Sequence, residues 1–140
     1  MTPCGPAAPD AGLPPAAMIA SDGEVTIFGR AVPHPRSYGT FARVLGVYVR
    51  EKSVLSLEEA VRKMSAMPAT RVGLTDRGVI KAGMKADLVV FDPAVVRDMA
   101  TFEKPHQYST GMVHVWVNGE QVLLDGEHTG AKPGQVVSPR

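Results

Sequence analysis

Cysteine is nearly absent: Cys4 is the one thiol in 140 residues, so no intrachain disulfide can form. That usage suits a reducing compartment, and the expected localisation is cytoplasmic. Long apolar runs are missing too. None approaches the roughly 20 residues of a membrane span. The N-terminus lacks the basic stretch and apolar core of a secretory leader. Neither sign of charge dominates. The net charge is +1, with no block of like charge, so bulk electrostatics point to no nucleic-acid partner and no membrane partner. Aromatic residues make up 6% and do not interleave with a basic stripe. No H-x-H, H-E-x-x-H or C-x-x-C occurs, so spacing alone indicates no metal site. Glycine-rich phosphate loops and G-x-S-x-G elbows are also lacking. What remains is an ordinary globular composition, 44% hydrophobic and 21% charged, long enough for one domain with a core.

The chain changes character along its length. Residues 1–17 hold five prolines and no helical or strand period, which predicts a disordered, Pro/Ala-rich lead. Ile19–Ala20 read as the tail of a strand. Residues 23–36 read as a loop broken by Gly29, Pro33 and Pro35. Phe41, Val44, Leu45 and Tyr48 then fall at i, i+3, i+4, i+7, predicting a helix over about 39–50. Ser56 stands three residues before Glu59, a capping-box spacing. Leu57, Ala60, Val61 and Met64 follow on one face. That helix is expected to stop near Met67, because Pro68 follows, with a further short turn over 68–74. Beyond Asp76 the grammar is β. "ADLVVFD" (86–92) reads as a buried strand. "GMVHVWVNGEQVLLDG" (111–126) reads as a hairpin turning at Asn118-Gly119. Residues 127–140 read as a surface tail. Two amphipathic helices without an evident sheet to cover are an odd inventory for a free-standing domain.

Few residues stand out as chemistry. Asp22, in Ser21-Asp22-Gly23, is either a turn residue or a carboxylate held at the end of a barrel strand, where it could serve a metal-bound water. The tripeptide alone favours the turn. Arg36 follows two prolines and precedes a helix. Its planar fork suits a carboxylate, although spacing alone favours a surface arginine. His34 is a candidate ligand or proton carrier, against the commoner solvated loop histidine. His106 and His114 have no partner at metal spacing, His128 lies in the tail, and Cys4 has no cationic neighbour to activate it.

Together these stretches resemble a known family. "MIASDG", "PHPRSYGTFARVLGVYVRE", "LSLEEAVRKMSAMPATRVGLTDRGVIKAGMKADLVVFDP", "ATFEKPHQYSTGMVHVWVNGEQV" and "HTGAKPGQVV" look like the C-terminal part of an N-acyl-D-amino-acid deacylase (D-aminoacylase). That family belongs to the metal-dependent amidohydrolase superfamily. The resemblance runs from about Met18 to about Val137. G-x-K-A-D-L-V-V-F-D is common to amidohydrolases, whereas H-P-R-x-x-G-T-F, T-F-E-x-P-H-Q and T-G-A-x-P-G are more specific to deacylases. The resemblance implies an α/β fold: residues 18–75 as the last β/α part of a (β/α)8 TIM barrel and 76–126 as part of a small β-sandwich, incomplete as a stand-alone domain. It implies that Asp22 is the catalytic base on a metal-bound water, that Arg36 binds the substrate's α-carboxylate, and that His34 positions the loop. The family's zinc ligands lie upstream of S-D-G and are not in this chain. Asp22 is the one residue here left as a metal-ligand candidate, and the isolated chain is expected to bind no zinc and to be inactive. The implied substrate is a small-molecule N-acyl-D-amino acid. Two other readings stand beside this one. The chain could be a non-catalytic β module that binds a partner protein, or it could assemble with an N-terminal barrel chain supplied in trans.

Overall fold

The computed structural model describes residues 13–138. Helices come first and a sheet follows. Helix α1 (Arg36–Arg43) runs directly into a π-helical stretch, Val44–Glu51. Helices α2 (Leu57–Met64) and α3 (Ala66–Arg71) come next. Strands β1 (Leu88–Phe91), β2 (Met112–Val117), β3 (Glu120–Leu124) and β4 (Glu127–His128) form one antiparallel sheet in the order β1-β2-β3-β4. The fold is therefore α/β, as expected.

The first helix is wider and differently faced than its apolar period predicts. Lys52 N–H donates to Val47 O, five residues back, at 2.9 Å. Each such turn takes in an extra residue and rotates Tyr48 off the α-helical face. Val44 and Leu45 are buried, as expected, but Phe41 and Tyr48 are exposed. Gly39, Ala42 and Gly46 are buried instead. A Cβ on Gly39 would come 2.7 Å from Asp98 Cβ, and one on Gly46 would come 2.7 Å from Val96 O. The helix thus approaches the 96–98 segment through its glycines. Hydropathy counts glycine as no contact at all and so misses this face.

Helix α2 begins as its cap predicts: Ser56 Oγ accepts from Glu59 N–H at 3.2 Å. It ends earlier than expected, at Met64, and α3 restarts at Ala66. Pro68 is the third residue of α3 rather than a stop signal. The first N–H groups of a helix have no partner, so proline costs little there.

Residues 1–12 of the proline-rich lead lie outside the described residues, Cys4 among them. Its last part is tied down, against expectation. Lys63, 1% exposed, donates through Nζ to Pro14 O, Pro15 O and Ala17 O at 2.9, 3.2 and 3.0 Å. Three carbonyls take the three protons of one ammonium, and Glu59 Oε1 lies 3.3 Å away. Ile19 belongs to no strand; its N–H donates to Lys63 O at 3.1 Å. A strand needs a neighbour, and none of the four strands runs beside it.

Glu59 also receives Arg62 Nε and Nη2 at 2.6 and 2.7 Å. The Arg62 guanidinium, with Lys63 adding to it, holds the Glu59 carboxyl down from 4.5 to about 2. A carboxylate depressed in the folded state stabilises fully above its unfolded value, and that stability is lost as pH falls through its folded value. Glu59→Gln should therefore be less stable than the parent at neutral pH. The gap should close between pH 4.5 and about 2. Thermal unfolding across that range checks it; a gap independent of pH would contradict the pairing.

The core gathers Ala42, Val44, Leu45, Leu55, Ala60 and Val96, with Phe91 and Met112 packed on it from the sheet. Arg50 Nη1 donates to Pro93 O and Val96 O, at 3.0 and 2.7 Å, pinning Val96 under the helices. The hairpin turns where predicted, with Asn118 and Gly119 at φ 51° and 85°, the positive pair of a tight turn. The expected burial of β1 is not found. Val89 and Val90 are 55% and 46% exposed, because the sheet is a single layer among the described residues. The tail lies largely exposed, with β4 at its start paired to β3.

Candidate active site

The three residues singled out in the sequence meet at the start of α1. Pro35 is its N-cap residue and Arg36 its first residue. His34 Nδ1 accepts from Arg36 N–H at 3.0 Å, and its ring lies edge-on to Phe102, centroids 5.0 Å apart. That acceptor satisfies one of the free donors at the helix start. The Ser21-Asp22-Gly23 turn docks on the same helix. Ser21 Oγ donates to Thr40 Oγ1 at 3.1 Å and accepts from Gly23 N–H at 3.0 Å. Glu24 N–H donates to Ser37 Oγ at 3.2 Å.

Arg36 then grips Asp22 twice. Nη2 lies 2.6 Å from Asp22 Oδ2, and Nε donates to Asp22 O at 2.8 Å. The Asp22 side chain is 87% exposed and that of Arg36 45%. An ion pair this open to water is weakly held and readily exchanged for another anion. Arg36 also lines a groove of about 530 Å³ between the first helix and residues 98–103, with His34, Arg43, Tyr48 and Phe102. A smaller cleft, about 280 Å³, lies beside Ser21, Arg36 and Tyr38. Asp22 lines neither; it stands at the outer end of Arg36. Within the groove Arg43 Nη1 pairs with Asp98 Oδ2 at 2.9 Å, which raises the arginine's already high pKa through that hydrogen bond and charge. Arg36 is therefore the guanidinium of the groove whose anion partner is loosely kept.

Among the described residues no group of three or more His, Cys, Asp or Glu side chains could hold a metal ion. The charged partner of Asp22 is a cation, not a second ligand. These residues do not by themselves fit a metal centre. No helix among the described residues is long and apolar enough to cross a membrane.

The Amidohydrolase family matches residues 11–123. The chain belongs to that family. It is 56% identical over 108 residues to an N-acyl-D-aspartate deacylase of Alcaligenes xylosoxydans xylosoxydans, covering 76% of this chain and 22% of that protein. It is similar in structure to a D-aminoacylase mutant in complex with copper chloride, with a TM-score of 0.74 at 48% identity over 76% of this chain and 23% of that one. It is also similar to an N-acyl-D-glutamate deacylase from Bordetella bronchiseptica complexed with zinc and a phosphonate mimic of the tetrahedral intermediate. There the TM-score is 0.65 at 48% identity, over 70% of this chain and 22% of that one. The chain is thus a partial homologue of the N-acyl-D-amino-acid deacylases, spanning about a fifth of the length of the relatives it matches.

Spacing missed His106 and Tyr38. His106 Nδ1 lies 2.8 Å from Tyr38 Oη, although 68 residues separate the two. The one available signal was the T-F-E-K-P-H-Q stretch, whose histidine has no ligand spacing and so had no role to suggest.

Proposed function

We propose that this chain carries the proton-transfer and carboxylate-binding part of an N-acyl-D-amino-acid deacylase site. One observation carries the reading: Asp22 and Arg36 stand side by side, 2.6 Å apart. In an N-acyl-amino acid the scissile amide nitrogen and the carboxylate share one carbon. A base acting at the amide and a guanidinium holding the carboxylate must therefore be neighbours. Arg36 exchanges Asp22 for the substrate's carboxylate. The freed Asp22 carboxylate takes a proton from the attacking water as its oxygen bonds to the acyl carbon. It then delivers that proton to the amine nitrogen as the C–N bond breaks. His34 keeps the start of α1 in place beneath Arg36.

In this reading the helices cover the last β/α part of a (β/α)8 barrel, and the sheet is part of a small β-sandwich. The relative bound to zinc supports a metal in the complete site. Its ligands would have to come from outside the described residues, so the pure chain should be catalytically silent. Incubated with zinc and N-acetyl-D-aspartate or N-acetyl-D-glutamate, it is expected to release no amino acid above buffer. Zinc-dependent release by the pure chain would refute this division of the site.

A further inference from the structure

The backbone between Asp22 and Arg36 has no regular structure of its own. Val25, Ile27 and Val32 along it are largely exposed. Such a loop has little burial to hold it, yet its two ends carry the two residues of the proposed site. The backbone of its tip is hydrogen-bonded on both sides by one side chain distant in sequence. Gly29 N–H donates to His106 Nδ1 at 3.2 Å, and His106 Nε2 lies 3.1 Å from Ala31 O. The sequence separations are 77 and 75 residues.

These partners assign the ring's proton. A backbone N–H can only donate, so Nδ1 carries a lone pair; a carbonyl can only accept, so Nε2 carries the hydrogen. The Tyr38 hydroxyl shares the Nδ1 lone pair at 2.8 Å and accepts from Thr26 Oγ1 at 2.9 Å. Phe28 packs on the same group, 5.4 Å from the His106 ring and 5.0 Å from Tyr108. Gly29 and Ala31 hold φ of 79° and 58°. For Ala31 that is a conformation an L side chain adopts at a cost, and its carbonyl is one of the two atoms the ring holds.

We propose that His106 is a positioning residue: its neutral imidazole brackets the 26–31 loop and so fixes how Asp22 and Arg36, at the loop's two ends, face each other. The deacylase reading gives those two residues their meaning, but the bracket can be tested without it. The bracket rests on two hydrogen bonds from opposite edges of one ring, so removing the ring nitrogens removes both.

The experiment is hydrogen exchange by NMR on the full chain, on His106→Phe, which keeps the ring packing without the nitrogens, and on His106→Gln. The glutamine amide can accept from Gly29 and donate to Ala31. The readouts are the Gly29 amide, the Arg36 Nε–H that donates to Asp22 O, and the β2–β3 amides as a folding control. In His106→Phe the Gly29 amide should exchange roughly five- to tenfold faster, as loss of one hydrogen bond implies. The Arg36 Nε–H should follow it, with β2–β3 unchanged, and His106→Gln should recover both. Equal Gly29 exchange in parent and His106→Phe would overturn the bracket. A faster Gly29 with an unmoved Arg36 Nε–H would overturn the positioning role. Should His106→Phe unfold, His106→Gln decides, and Gly29 or Arg36 Nε–H exchange there unlike the parent's would sink the proposal. Failure of the deacylase reading would show in hydrolysis assays and leave these exchange rates untouched.

Discussion

Asp22→Asn should remove nearly all hydrolysis once the chain stands in a complete site. The setting is a graft, in which residues 18–138 replace the matching fifth of the N-acyl-D-aspartate deacylase to which the chain is 56% identical. A positioned general base contributes on the order of 10²–10⁴ to a rate, so kcat should fall roughly 10³-fold. The substitution keeps the size, deletes the charge and replaces one accepting oxygen with a donating NH2. It also removes the charge that Arg36 pairs with at 2.6 Å, so the substrate's carboxylate meets a weaker competitor for the arginine. KM should therefore hold steady or fall. Steady-state kinetics on the graft and its variant check both parts. A large rise in KM with kcat preserved would mean that Asp22 binds substrate and does not move protons.

Gly111→Ala should destabilise the fold more than any substitution at the site. Gly111 has φ +82°, and a Cβ built there would come 2.5 Å from Val96 Cα and 2.6 Å from Val96 N. Those atoms are backbone and cannot swing aside as a side-chain end can. Val96 is fully buried in the core and pinned by Arg50. Relief would require moving the 92–96 turn, where Asp92 N–H donates to Gly111 O at 2.9 Å. The left-handed backbone and the overpacking together should cost about 3 kcal/mol or more, a drop in Tm of roughly 10 °C. Gly130→Ala is the control. It has a similar φ of +89° but nothing within 4 Å of the added Cβ, so only the conformational cost of about 1 kcal/mol remains. Equal losses in the two variants, measured by thermal unfolding, would show that the close approach at Val96 is not felt.

What could be read from the sequence was what depends on near neighbours. Ser56 and Glu59 sit one helical turn apart, so their cap is a local matter, and so is the Asn118-Gly119 turn. The order of helices then strands follows from period alone. Asp22 and Arg36 were legible as candidates through the resemblance of short phrases, and the structure brings them within hydrogen-bond reach of each other. The misses all required knowledge of what lies across from a residue. Gly39 and Gly46 became packing positions because residues 96–98 come close. Phe41, Tyr48, Val89 and Val90 looked like core and are exposed, because hydropathy does not say whether a covering layer is present. Pro68 was read as a terminator, yet in the first turn of α3 the hydrogen it lacks is not needed. Lys63, a surface residue by type, is buried because carbonyls of the lead surround its ammonium. His106 had no signal in spacing, since its partners lie about seventy residues away.

The central claim is that Asp22 and Arg36 are two working parts of a deacylase site whose metal is held elsewhere. Its most direct test is hydrolysis of N-acetyl-D-aspartate by the unsubstituted graft, measured together with its zinc content and folding. The account predicts a folded, zinc-loaded graft that releases D-aspartate within about an order of magnitude of the parent relative's rate, since the chain is 56% identical to that relative over 108 residues and would hold the reacting groups in the same arrangement. A graft that folds and holds zinc but hydrolyses nothing would contradict it. Asp22 would then be a turn residue, and Arg36 its surface partner.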